Sequence, residues 1–321
     1  MPPRNACRRG MAEGARLLYL KRPRPRSRIR NHRAMSQPSE PLLAELTEDR
    51  ATGRIAEIYE EIRRFSGVPY VSSLQRYLAT MPGVLEWAWD ALRPALISGV
   101  IPETGWRLAR TVRIPPAAPV PVAALRQWGV DAAGLAAIRN VAANFVRVSP
   151  VNLVTGACLG LLLTGTRPSG AGFPAGWAVP AMLAPMPGNA DPLRLPADQR
   201  AVLMRFATEV DGTPFIPALY RQLAHWPGVL AWLADELGPR FAAPETAEAR
   251  TAFRAAARAA APEIVARLPA VREDGAPDAA TARRVLATID RYAETSPEMT
   301  MFGQLVLDAL PQAEVLEQGG R

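Results

Sequence analysis

The sequence predicts an all-α fold of two tandem helical repeats related by a pseudo-twofold axis, and three observations support this prediction. The stretch VPYVSSLQRYLATMPGVLEWAWDALRPAL at 68–96 recurs 145 positions later as TPFIPALYRQLAHWPGVLAWLADELGPRF at 213–241. Apolar residues in the repeated segments recur at the three- and four-residue spacing of a helix. The sequence contains no run of alternating β-branched residues, which would indicate a strand.

The chain begins with a strongly basic segment. Residues 1–33 hold eleven Lys and Arg side chains and one acid, a net charge of +10. Because the whole chain carries a net charge of +8, the remaining residues carry −2. Arginine alternates with proline there without an apolar period, so we expect residues 1–35 to be a disordered tail. Met35 opens the first domain-like sequence, and we expect it as an alternative start of the protein. Because the body is nearly neutral, nucleic acid binding would depend on this tail alone, and we keep it only as a distant third alternative.

The first repeat, residues 36–164, is expected to consist of amphipathic helices. In IAEIYEEIRRF at 55–65, apolar side chains share one helical face and charged side chains the other. The next two helices meet at Pro82-Gly83, where proline ends one helix and glycine permits the turn, which predicts a helical hairpin. Asp131 is a suitable N-cap for the helix that follows it.

An uncharged run at 148–166 has nearly the length of a membrane span. At an offset of 147, part of this run recurs as SPEMTMFGQLVLDAL at 296–310, which contains Glu298 and Asp308. A lipid-facing helix would carry these carboxylates only at high cost. Both runs are therefore expected to be buried core helices, and we do not expect a membrane partner.

A segment at 165–196 separates the repeats, and its density of Gly and Pro is typical of a linker. Its apolar members, such as Trp177, indicate that it packs along the surface. The second repeat is expected to span 197–315, with a long Ala- and Arg-rich helix at 245–268, and residues 316–321 are expected to be disordered. Ligand sites favour the crevice between two packed halves.

The composition limits the chemistry available to a site. The chain has two Cys and two His residues, so we expect no disulfide framework, no metal site and a reducing, cytoplasmic location. Neither a P-loop nor a GxSxG nucleophile motif occurs in the sequence. Catalysis would therefore depend on carboxylates, Ser, Tyr and Arg.

One charged pair recurs in both hairpins: Arg76 with Asp90, and Arg221 with Asp235. One interpretation is an anion-binding arginine beside a carboxylate base. The other, which we favour, is a salt bridge that holds each hairpin, because retention in both copies indicates architecture more than one active site.

The repeated hairpin carries a family resemblance. IAEIYEEIRRFSGVPYVSSLQRYLATMPGVLEWAW in the first repeat, with LAHWPGVLAWLADEL in the second, resembles the group I D,L-2-haloacid dehalogenases, also called halocarboxylic acid dehydrogenases. The resemblance covers most of residues 40–315. It implies an all-α fold of two related repeats, a catalytic pocket between them and a homodimer.

The resemblance also implies a cofactor-free reaction and its site. In that family an aspartate activates water, which attacks the halogen-bearing carbon directly and inverts it. Aligned through LAHWPGVL, the aspartate position falls on Leu219, which cannot accept a proton. Aligned through the run that ends at Pro150, the position of an assisting asparagine falls on Ser149. The expected substrate-pocket positions are Tyr70, Ser73, Leu219, Tyr220 and Ile289.

Two functions remain as alternatives. The first is a hydrolase, a 2-haloacid dehalogenase-like enzyme acting on small 2-substituted carboxylic acids. Asp211, eight residues before Leu219, is a candidate base for it, although Asp211-Gly212 is also a good turn dipeptide. The second is a catalytically silent family member that binds a small apolar or carboxylate ligand between the repeats.

Overall fold

The computed structural model describes residues 45–168, 170, 172–210 and 213–318. The predicted basic tail at 1–35 lies outside these residues, as does part of the predicted C-terminal segment at 316–321. Over the described residues the chain is mostly helical, which confirms the all-α prediction.

The first half of the described chain contains six helices, joined by turns and by an extended proline-rich segment between the fourth and fifth. They are α1 Gly53–Ser66, α2 Ser73–Leu78, α3 Val84–Ile97, α4 Val100–Ala109, α5 Val122–Gln127 and α6 Ala132–Leu163. The hairpin turn before α3 uses Gly83 in the left-handed region, with φ of 75°. Asp131 caps α6 as predicted, because its carboxylate accepts a hydrogen bond of 2.7 Å from the Gly134 amide.

The second half has a related order of helices without a counterpart of α5, and it contains a further C-terminal helix and one short β-hairpin that the sequence did not predict. Its elements are α7 Ala197–Met204, β1 Thr208–Val210, β2 Thr213–Phe215, α8 Ala218–Leu223, α9 Pro227–Phe241, α10 Pro244–Arg267, α11 Ala279–Ala309 and α12 Glu314–Gln318. The two strands pair antiparallel, with Val210 opposite Thr213. Strands of three residues are too short to show an alternating pattern.

Helix bounds follow the offsets read from the sequence. Both ends of α8 lie 145 positions after those of α2, and α11 begins 147 positions after α6. Glycines at matching places bring the two long helices together. A Cβ on Gly156 would lie 3.3 Å from Ile289, and one on Gly303 would lie 2.9 Å from Val146. These matches support the repeat, while the pseudo-twofold axis itself stays a prediction.

The two repeats exchange contacts across these long helices. Helix α2 of the first repeat packs against α11, and α8 of the second repeat packs against α6. Two hydrophobic cores result, one around the C-terminal half of α6 and one around its N-terminal half. Each core draws on both α6 and α11, so neither repeat completes a core from its own helices.

Helix α6 is central to this arrangement. Among the described residues, it is the one helix that is long and apolar enough to cross a membrane, by length and composition alone. It packs against α4, α8, α10 and α11, and 56% of its most apolar window is buried. These contacts favour the expected role as a core helix.

The predicted linker at 165–196 runs along the surface and is held by hydrogen bonds to both repeats. Arg147 donates to the Ala181 carbonyl at 2.7 Å, and the Ala190 amide donates to the Arg221 carbonyl at 3.1 Å. The segment is therefore attached along its length, although the exact domain bounds stay predictions.

Candidate functional site

Tyr70, one of the predicted pocket residues, lies in the loop between α1 and α2. Its ring centroid is 6.0 Å from that of Phe145 on α6, with the two rings tilted by 50°. Burial raises the pKa of the Tyr70 hydroxyl above its ordinary value, so this group is a neutral donor at physiological pH.

Ser73, the first residue of α2, connects the two repeats. Its hydroxyl lies near Tyr292 of α11 and accepts a hydrogen bond of 3.2 Å from the Arg76 guanidinium. Burial raises the pKa of Tyr292, and the carboxylate of Glu45 adds to this effect. Tyr292 therefore remains a neutral hydroxyl beside Ser73.

Tyr292 is a residue that the sequence interpretation missed. The resemblance placed the pocket tyrosine near Ile289, one helical turn earlier on α11. Ile289 instead packs at the crossing of the long helices, against Gly156. A signal was available, because Phe145 and Tyr292 are aromatic repeat mates at the offset of 147.

Arg76 is the cation of this region. Its guanidinium forms an ion pair of 2.8 Å with Glu45, while its buried Nε has no hydrogen-bond partner among the described residues. Together with Tyr70, Ser73 and Tyr292, these two residues form the Arg76 cluster. It combines one cation, one anion and three hydroxyls from both repeats.

The salt bridges predicted within each hairpin are wrong. Asp90 pairs with Arg54 of α1 at 3.1 Å, and Asp235 pairs with Arg205, just after α7, at 2.8 Å. In both repeats the aspartate therefore binds an arginine in, or directly after, the helix that precedes the hairpin. The hairpin arginine turns instead toward chain outside the hairpin. The pairing is architectural, as expected, but between different elements.

Leu219 and Tyr220 of α8 lie in the second hydrophobic core, among apolar side chains. Leu219 is fully buried. The Tyr220 ring stacks on Phe206 with centroids 4.2 Å apart, and its buried hydroxyl has no hydrogen-bond partner among the described residues. Burial raises the pKa of Tyr220 strongly, and the neighbouring Glu298 raises it further, so this hydroxyl is not a base.

Glu298 of α11 is the one buried carboxylate among the residues that the structure describes. Burial raises its pKa, and a close ion pair with Arg250 of α10 opposes that shift. Its repeat mate at the offset of 147 is Val151, so this charge belongs to the second repeat alone.

Ser149 is buried within α6, and a second polar residue lies five positions before it. Asn144 is fully buried; its Nδ2 donates to the Asn140 carbonyl at 2.8 Å, and its Oδ1 has no partner among the described residues. The sequence interpretation missed Asn144, although an amide in the apolar run AANFV was a readable signal. The candidate base Asp211 lies outside the described residues.

Two cavities in the described part of the chain are lined by residues other than the predicted pocket residues. A small cavity of about 30 Å³ lies in the first core, beside Leu74 and Gln75. A groove of about 730 Å³ lies between α4, α6 and α11. Within the described ranges, no group of three or more His, Cys, Asp or Glu residues is placed to hold a metal ion.

Solved structures of D-2-haloacid dehalogenases share this fold. A mutant enzyme in complex with D-2-CPA has a TM-score of 0.65 and 19% identity, over 83% of this chain and 95% of that one. A further mutant structure has a TM-score of 0.66 and 20% identity, over 84% and 96% of the two chains. The enzyme in complex with L-LA has a TM-score of 0.63 and 20% identity, over 84% and 96% of the two chains.

The fold is therefore haloacid dehalogenase-like, an all-α architecture. No protein-family model and no curated protein matches the chain. At 19–20% identity the likeness establishes the fold alone.

Proposed function

We propose that this chain is a catalytically silent member of the group I D,L-2-haloacid dehalogenase family, one that binds an organic acid between its repeats without hydrolysing it. One observation carries the proposal: Leu219, at the position where the resemblance expects the catalytic aspartate, is fully buried in an apolar core. A leucine side chain cannot deprotonate water.

The surrounding groups do not replace that aspartate. A general base must be ionised and within hydrogen-bond reach of the attacking water. The buried carboxylate Glu298 is already engaged by Arg250, and the Tyr220 hydroxyl is kept protonated by its raised pKa. Ser149, at the expected asparagine position, can orient a water by one hydrogen bond but cannot activate it.

The second candidate is a working hydrolase with Asp211 as a relocated base. It is favoured by the position of the β-hairpin, because β2 ends at Phe215 and α8, which carries Leu219, begins at Ala218. Few residues therefore separate this strand from the helix that carries Leu219. In that case the substrate would be a small 2-halocarboxylic acid.

Chloride release from racemic 2-chloropropionate separates the two candidates. The silent-member proposal expects background rates from the wild type and from Asp211→Asn alike. Asp198→Asn, on the exposed surface of α7, is the matched control for loss of one carboxylate. Steady chloride release that Asp211→Asn removes and Asp198→Asn leaves intact would establish the hydrolase instead.

A further inference from the structure

The groove of about 730 Å³ lies where the long helices of the two repeats cross. Its floor is mostly apolar and includes Val146 of α6 with Met301 and Leu305 of α11. One wall is the end of α4 with the extended chain that follows it. This volume falls within the range of pockets that enclose small organic molecules, about 300–1,000 Å³.

The groove is open because two corresponding helices differ in length. Helix α4 has 10 residues and α10 has 24. On the other side of the crossing, the C-terminal half of α10 covers the corresponding surface, and its Arg258 pairs with Asp290 at 3.1 Å. Asp290 is the repeat mate of Ala143, which lines the open groove. Beyond α4 the chain is extended through Pro115-Pro116, which cannot continue a helix.

The rim of the groove is positively charged. Three arginines contribute to its lining, Arg110, Arg113 and Arg147, against one acid, Asp308. Asp308 accepts a hydrogen bond of 2.7 Å from Gln304.

Arg110 stands apart from the other two arginines because of its partners. Arg113 donates to backbone carbonyls next to it, and Arg147 donates to the Gly67 and Ala181 carbonyls. The Arg110 guanidinium makes no hydrogen bond or ion pair to another described residue. A cation at the edge of an apolar groove, with its donors unused, is suited to an anionic ligand group.

We infer that this groove binds an amphipathic organic carboxylate, with the carboxylate on Arg110 and an apolar alkyl or aryl body along Val146, Met301 and Leu305. The floor provides apolar area that a C2 or C3 acid cannot cover, so a larger hydrophobic acid is the expected class. The inference names a site and ligand class for the binding half of the proposed function. It does not depend on whether haloacids are hydrolysed.

The test uses phenylbutyrate as the probe and the full-length chain, with binding measured by calorimetry. Phenylbutyrate should bind. Acetate, which lacks the apolar body, and phenylbutanol, which lacks the carboxylate, should each bind at least about tenfold more weakly. That factor is the size expected for loss of apolar contact or of one charged hydrogen bond. Arg110→Gln should weaken phenylbutyrate by a similar factor. Arg107→Gln, an exposed arginine on the same helix that does not line the groove, should leave binding unchanged.

A second variant tests the apolar part of the site. Ala143→Phe keeps every charge and fills the groove, so phenylbutyrate binding should be lost while the melting temperature stays close to that of the wild type. The inference is overturned if the wild type does not bind phenylbutyrate, if phenylbutanol binds equally well, or if Arg110→Gln or Ala143→Phe has no effect.

The outcomes also separate this inference from the proposed function. Chloride release together with phenylbutyrate binding would overturn the silent-member proposal and leave the groove assignment in place. Background chloride release without phenylbutyrate binding would overturn the groove assignment and leave the silent-member proposal in place.

Discussion

Helices α2 and α8 are repeat mates of six residues each, yet their surroundings are chemically different. In α2, Gln75 donates a hydrogen bond of 2.9 Å to Asn152 of α6. Its repeat mate in α8 is Tyr220, which stacks on Phe206 and leaves its hydroxyl without a partner among the described residues. The two helices therefore match in position and length, while the compared side chains differ, with hydrogen bonding at Gln75 and aromatic packing at Tyr220.

This difference explains the proposed loss of catalysis. The resemblance places the catalytic aspartate on α8, which is the apolar copy, whereas the charged and hydroxyl groups of the Arg76 cluster gather at α2. A carboxylate at Leu219 would need polar neighbours to remain ionised. The α8 environment offers stacked rings, and the carboxylate near Tyr220, Glu298, is already paired with Arg250.

The largest expected effect on stability comes from truncating the leucine that occupies the same position in each helix. Leu219→Ala should lower the free energy of unfolding by about 4 kcal/mol, and its repeat mate Leu74→Ala by about 2.5 kcal/mol. Leu74 already lines the small cavity of the first core, so fewer contacts are lost there. Urea unfolding of both variants measures the difference. An equal or larger cost at Leu74 would contradict the tighter packing assigned to α8.

A second pair of variants should shift stability in opposite directions. Gln75→Leu removes the donor to Asn152 and should cost about 1 to 2 kcal/mol. Tyr220→Phe removes a buried hydroxyl that has no partner and should be neutral or stabilising by up to about 1 kcal/mol. Thermal unfolding decides between these outcomes. A marked loss of stability in Tyr220→Phe would mean that its hydroxyl has a partner in solution.

The smallest effect is a pH dependence that belongs to the second repeat alone. Burial raises the pKa of Glu298, so the folded protein holds this proton more tightly than the unfolded chain does. The stability that this proton contributes is therefore fully present below the unfolded pKa of about 4.3. It is lost as the pH rises through the raised pKa of Glu298 in the folded protein. Glu298→Gln should remove this part of the slope, measured by melting temperature from about pH 4 to about pH 8. A slope unchanged by the variant would contradict the raised pKa.

The repeat explains how much of the fold was readable from the sequence. The constant offset and the Pro-Gly turns predicted α2, α3, α8 and α9, and Asp131 predicted the start of α6, because helix periodicity and caps are local signals. The ion-pair partners of Arg76 and Asp90 were not readable, since both partners come from elements distant in sequence.

The site was less readable than the fold for the same reason. The pocket position expected at Ile289 stays a prediction, and the place of Tyr292 beside Arg76 depends on packing between α2 and α11, which are distant in sequence. The groove depends on how far α4 extends, and Pro115-Pro116 indicate only that a helix cannot continue through them, not that it ends at Ala109. Which face of the helix crossing remains uncovered is decided by packing between distant segments.

The most direct measurement of the central claim is chloride release from racemic 2-chloropropionate by three proteins: the wild type, Leu219→Asp and Leu219→Asn. Asparagine matches aspartate in shape and in the cost of burying a polar group, but it cannot accept the proton of water, so it is the control for damage to the core. Circular dichroism checks that both variants remain folded under the assay conditions.

The account predicts background release from the wild type and from Leu219→Asn, and measurable release from Leu219→Asp. The increase in rate should be smaller than the roughly 10²- to 10⁴-fold that a positioned base contributes. The reasons are that burial raises the pKa of the introduced aspartate, and that Ser149 lies where an amide side chain is expected. Robust release by the wild type, or equal release by the Asp and Asn variants, would contradict the claim that the missing base belongs at Leu219.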